Sequence, residues 1–187
     1  MTLPRLQPAD FNNAQVIEWF RPGDQIGGKA NLNVGAYTAQ GNAVSVLRHD
    51  PQQVVTVSKC DPLGFRCNIQ QGTGLILASN LGADAVLRLQ WSTPVQSVGA
   101  FVVAPELLGT PFDAVMWLWL VQAQRWESVS ATGVTGDIWQ NPGDTVAPFL
   151  GASAPVGDQI GIVVFDGSHP MPAQCSPIGI GNLYFRA

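Results

Sequence analysis

The chain has 187 residues and a formal net charge of −4 at pH 7, with charged side chains at only 12% of positions, about half the ~25% usual in soluble domains. Only two lysines occur, Lys29 and Lys59, and there is no basic cluster, so nothing supplies the phosphate-neutralising surface that nucleic-acid binding needs. No run approaches the ~20 apolar residues of a membrane span, and Met1-Thr-Leu-Pro-Arg-Leu-Gln-Pro8 lacks the apolar core of a signal peptide, which suits either a mature exported chain or a protein not exported by that route.

The length suits one domain, read as an irregular arm over residues 1–15 and a single β domain over 16–187. Twenty glycines and fourteen prolines are dispersed along the chain, which implies many short elements joined by tight turns and leaves no room for long helices. Pro4 and Pro8 oppose early helix, with a short helical turn expected near Asp10 to Gln15. Val16 to Phe20 reads as a first strand ended by Arg21-Pro-Gly-Asp24. Val34 to Tyr37 and Ala43 to Leu47 flank Thr38-Ala-Gln-Gly-Asn42, a hairpin of the longer-loop kind. Val54 to Ser58, Leu75 to Ala78 and Ala85 to Trp91 follow; in the last, Val86, Arg88 and Gln90 alternate with Ala85, Leu87, Leu89 and Trp91, a half-buried pattern that Thr93-Pro94 is expected to break. Val95 to Val103 comes next, with Gly99 marking a bulge or a close approach of another chain segment.

The stretch Asp113-Ala-Val-Met-Trp-Leu-Trp-Leu-Val-Gln122 is apolar on both faces of a strand: Val115, Trp117, Trp119 and Val121 point one way, Ala114, Met116, Leu118 and Leu120 the other. Such a strand is either covered on both sides or carries an exposed aromatic stripe. Arg125 to Thr132 reads as its hairpin partner, through an Ala123-Gln124 turn that lacks the usual Gly or Asn. A turn-rich segment around Trp139, then Val146 to Leu150, Ile160 to Phe165 and Ile178 to Phe185, complete about ten or eleven strands without intervening helices. The fold class is therefore all-β, two antiparallel sheets packed as a sandwich.

Cys60 and Cys67 bracket Asp61-Pro-Leu-Gly-Phe-Arg66, whose Pro-Leu-Gly is a turn signal, so a hairpin would bring the thiols within disulfide range and suit an oxidising compartment; two small thiols at the mouth of a loop are the competing reading. Cys175 is left over. Trp117, Trp119 and Trp126 suit an aromatic platform on one sheet face, because flat rings stack on the apolar faces of sugars, but core or subunit-interface packing is the reading that their apolar neighbours favour. Trp139, beside Gln140 and Asn141, has the character of a loop residue at the rim of a polyol site.

From Leu75 onward the order of signals, Leu87-Arg-Leu-Gln-Trp-Ser-Thr-Pro-Val-Gln-Ser-Val-Gly-Ala-Phe101, Phe149-Leu-Gly-Ala152, Ile160-Gly-Ile-Val-Val-Phe165 and Ile180-Gly-Asn-Leu-Tyr-Phe185, resembles the jelly-roll ectodomains of exported bacterial proteins such as PEP-CTERM-type surface proteins, which are similar in fold to carbohydrate-binding modules. The likeness covers roughly the last sixty per cent of the chain and rests on apolar and turn signals. It implies an extracellular or cell-surface module. The Pro-Glu-Pro sorting tail of that group does not occur here, so no anchoring is implied. Carbohydrate-binding jelly rolls often hold a structural calcium, for which Glu18, Asp24, Asp166 and Asn182 are the candidates, although no dense acidic loop appears.

Other chemistry finds little support. A glycoside hydrolase needs two facing carboxylates, and of Glu18, Glu106 and Glu127 only the first and last would pair. His49 and His169, with Asp50 and Asp166 nearby in sequence, lack metal-site spacing, and there is no Gly-x-Ser-x-Gly. The reading is a non-enzymatic binding module for a carbohydrate or similar surface ligand. The first alternative is a self-associating protein, an oligomer, coat or filament subunit, in which the low charge and the Trp strand serve homo-oligomer contacts; the second is a glycan-acting hydrolase or lyase.

Overall fold

The structure is a computed structural model that describes residues 3–62, 65–80, 85–105, 109–137, 147–168 and 177–187. Two antiparallel sheets pack face to face, as the strand spacing implied. Their strands, in chain order, are β1 (Gln15–Ile17), β2 (Tyr37–Ala39), β3 (Asn42–Leu47), β4 (Val54–Lys59), β5 (Gly74–Ser79), β6 (Leu87–Val95), β7 (Ser97–Val103), β8 (Pro111–Leu120), β9 (Arg125–Val134), β10 (Phe149–Ser153), β11 (Ile160–Ser168), β12 (Ile178–Ile180) and β13 (Leu183–Arg186). One sheet runs β1-β13-β7-β12-β5-β4, with β10 also paired to β7; the other runs β2-β3-β6-β11-β8-β9. Between them lie the buried side chains of Trp19, Phe112, Met116, Leu118, Leu120, Phe165 and Phe185.

Several elements differ from the sequence reading, each for a visible reason. β6 runs on through Thr93-Pro94 instead of ending there. The β6–β11 register shifts opposite this point, and on the β3 edge the Asn42 side chain holds Thr93, donating to Thr93 O at 2.9 Å and accepting from Thr93 N at 3.2 Å. The β2–β3 hairpin is tighter than expected, turning on Gln40 and Gly41 alone, both at positive φ (47° and 84°) as a two-residue hairpin turn requires. β1 stops at Ile17 because the backbone of Trp19 and Phe20 passes against Gly74, where a Cβ would sit 2.8 Å from Phe20 N. The last strand is divided at Gly181-Asn182, where Gly181 donates to Phe101 O and accepts the indole N–H of Trp19 at 2.7 Å. The short helical turn is Pro8–Phe11, earlier than expected.

The outer face of the seven-stranded sheet is covered. Gly99 of β7 lies opposite Gly151 of β10 in regular register, so it marks close packing and not a bulge. A Cβ at Gly99 would stand 2.6 Å from Phe149 Cζ and 2.9 Å from Phe11 Cε2. Onto this smooth patch settle Phe11, Phe101, Phe149 and Tyr184, with ring centroids 5.0–6.4 Å apart. The N-terminal arm is thus not merely irregular: Leu6 N donates to Gly151 O, Ser153 N donates to Pro4 O, and Arg5 bridges Ala152, extending the sheet along β10. A second cover, built from Cys60, Cys67, Ile69, Leu75, Val103 and Ala147, lies beside it.

Candidate functional site

The six-stranded sheet differs on its outer face. β8 follows the alternation read from the sequence: Phe112, Ala114, Met116, Leu118 and Leu120 are buried between the sheets, while Val115 and Trp119 are half-buried and Asp113 and Trp117 exposed on the other side. Antiparallel register carries this outer face across neighbouring strands as rows. One row is Trp126, Trp119, Ile162, Gln90 and Ser45; the next is Ser128, Trp117, Val164, Arg88 and Leu47. A third begins Ser130, Val115 and Asp166.

Three tryptophans therefore converge at the β8–β9 end of the sheet. Trp119 and Trp126 are direct cross-strand neighbours with rings tilted at 57° and centroids 5.5 Å apart. Trp117 is 42% and Trp126 41% exposed, and with Val164 they floor a shallow open depression of about 320 Å³. Among the described residues these two are the exposed large aromatic side chains. Polar groups frame the apolar floor: Ser128, Ser130 and Thr132 stand exposed on β9, and Gln90 on β6 on the far side. Arg88 lies in the Val164 row, its Nε buried without a hydrogen-bond partner. β9 is hydrogen-bonded to β8 on one side and to no other strand among the described residues.

The hairpin that joins the two Trp-bearing strands turns through Val121 to Gln124 without a glycine, Gln124 itself taking φ 50°. It is held from outside: the buried carboxylate of Asp158, just before β11, accepts Gln122 N at 2.9 Å and Ala123 N at 3.2 Å. The alternation of β8 was legible; the contribution of β11 and β6 to the same face was not, although Ile162 and Val164 alternate with Gly161 and Val163 in a way that placed them on one side.

Of the other candidates, Trp139, Gln140 and Asn141 lie outside the described residues, as do Glu106, His169 and Cys175. The four calcium candidates are not brought together. Glu18 follows β1 and faces Tyr184; Asp24 accepts Arg21 N at 2.7 Å within its own turn; Asp166 sits on the outer face of the six-stranded sheet; Asn182 divides β12 from β13. Among the described residues no three acidic, histidine or cysteine side chains form a cluster fit for a metal ion. Glu18 and Glu127 belong to different sheets, and Glu127 is paired with Arg125 at 2.9 Å, so they do not face one another across a cleft. His49 is an exposed turn residue before β4. Cys60 and Cys67 are brought together, with sulfurs 2.7 Å apart and no bond joining them. Among the described residues no helix is long and apolar enough to cross a membrane.

No family model matches the chain, that of PEP-CTERM surface proteins included, and no curated protein sequence matches it. Solved structures that align with the chain include carbohydrate-binding modules and an adhesin domain. The CBM22-1 and GH10 modules of Clostridium thermocellum endo-1,4-β-D-xylanase 10B, complexed with xylohexaose, align at 10% identity and a TM-score of 0.43 over 76% of this chain and 26% of that one. This chain thus spans about a quarter of that two-module chain. The K2 cleaved adhesin domain of Lys-gingipain aligns at 11% identity and 0.45 over 93% of this chain and 100% of that one, and CtCBM11 at 10% and 0.36 over 93% and 95%.

Proposed function

We propose that the chain is a non-enzymatic, exported binding module that takes carbohydrate on the outer face of its six-stranded sheet. One observation carries this reading: Trp117 and Trp126 stand some 40% exposed on a rigid sheet whose inner face already supplies a full core, so burial in the core does not account for them. Tryptophan offers a large flat apolar surface at low entropic cost, and the hydroxyl and amide groups of Ser128, Ser130 and Gln90 at its borders suit the edges of a sugar ring. A depression that is shallow and open suits a chain laid across a sheet better than a small enclosed molecule.

The test is titration of soluble polysaccharides followed by tryptophan fluorescence and calorimetry, on the wild type and on Trp117→Ala and Trp126→Ala. A glycan that binds the wild type and loses affinity by about thirtyfold or more in either variant, the ~2 kcal/mol typical of an aromatic anchor, supports the reading. Binding that survives both substitutions refutes it.

The edge of β9 beside the same aromatic patch, which no other described strand pairs, favours a second reading, self-association of copies through this face. It requires a concentration-dependent mass in sedimentation that Trp117→Ala reduces to the monomer. A constant monomer mass removes it.

A further inference from the structure

The thiols of Cys60 and Cys67 occupy a position that the carbohydrate reading does not use. Both are fully buried, at the end of β4 and in the loop that follows it, and Cys67 donates to Cys60 Sγ at 2.7 Å, about 0.7 Å beyond a covalent sulfur–sulfur bond. Among the described residues the loop they bracket ties distant parts of the fold together. Arg66 reaches Asp137 at 3.5 Å, Asn68 Nδ2 donates to Val134 O at 2.8 Å, and Ala147 N donates to Asn68 O at 3.2 Å. The residues on either side of Cys67 thus hold the end of β9 and the approach to β10. Cys60 N and O both bond across to the loop's far side, to Thr73 O and Gly72 N. The sulfurs are consequently held in place by backbone on both sides.

We infer that Cys60 and Cys67 are oxidised to a disulfide that closes this eight-residue loop and fixes Arg66 and Asn68 in their clamping positions. Two thiols give up two protons and two electrons, and one small-molecule disulfide, such as oxidised glutathione, takes them up and leaves as two thiols. The Cys60 sulfur attacks the small disulfide and releases one thiol; the Cys67 sulfur then displaces the second thiol from Cys60, and the intramolecular bond remains. Because both sulfurs are buried, the bond forms while the loop is open during folding, which places maturation in an oxidising compartment.

The experiment refolds the unfolded full chain and its Cys175→Ser variant in oxidised or reduced glutathione, then unfolds again, alkylates and maps peptides by mass. The expected result with oxidised glutathione is a peptide pair joined through Cys60 and Cys67, lighter by two hydrogens, in both proteins, with only Cys175 alkylated in the wild type. Reduction of Cys175→Ser is expected to lower Tm by about 5–10 °C, the shift that opening so short a loop brings in a domain of this size. Alkylation of both cysteines after oxidation, a bridge that uses Cys175 in the wild type, or a Tm of Cys175→Ser indifferent to reduction each overturns the inference.

Discussion

The two sheets share one core but treat their outer faces in opposite ways. Over β7 and β10 of the seven-stranded sheet, paired glycines clear a flat area and Phe11, Phe101, Phe149 and Tyr184 close over it. Over β8, β9 and β11 of the six-stranded sheet no described segment forms such a cover, and tryptophans stand where glycines would have invited one. Aromatic content alone therefore says little about role. What matters is whether the sheet beneath is bare enough to be roofed by its own chain.

Substitution of one aromatic on each face breaks this contrast most sharply. Phe11 is 4% exposed and forms part of the cover, so Phe11→Ala is expected to cost about 3–5 kcal/mol in chemical denaturation, with the arm released from β10. Trp117→Ser, on the bare face, is expected to stay within about 0.5 kcal/mol of the wild type. A loss of several kcal/mol at Trp117 would mean that the bare face is structural after all.

Asp158→Ala is the next largest effect, about 2–3 kcal/mol, because two turn amides lose a charged acceptor where no glycine eases the backbone. The same variant sharpens the functional side: disorder in the turn between β8 and β9 should weaken glycan binding even where the fold survives, which fluorescence titration reads directly. Gly151→Ala should cost about 1–3 kcal/mol, since its Cβ meets Phe149 Cε1 at 2.7 Å and the Leu6 carbonyl at 2.9 Å. Unchanged unfolding curves for this variant would show that the roof is loosely seated.

The smallest effect is a pH dependence confined to the covered face. Burial, and secondarily the carboxylate of Glu18, raise the Tyr184 phenol above its ordinary value of 10.0. The folded state then resists ionisation that the unfolded chain undergoes, so this contribution is complete below pH 10.0 and is lost as pH rises through the folded-state value. Thermal melts of Tyr184→Phe should therefore lose part of the alkaline decline that the wild type shows, and an identical decline in both would exclude the tyrosine as its source.

Local sequence determined the two-residue alternation, and with it the class of fold and the division of β8 into a core face and an outer face. These follow from side-chain geometry within one strand, which a linear pattern contains in full. Tertiary structure decided what that outer face meets. Whether Trp117 is roofed depends on where an arm more than a hundred residues away docks, and the arm docks where Gly99 meets Gly151, on the other sheet. In the same way Asn42, on a neighbouring strand, holds β6 at Thr93, and Asp158 supports a turn that has no glycine of its own. The four calcium candidates, each plausible alone, are dispersed over separate elements by the same long-range pairing. Burial and coordination are properties of several segments at once, so no stretch of chain states them by itself.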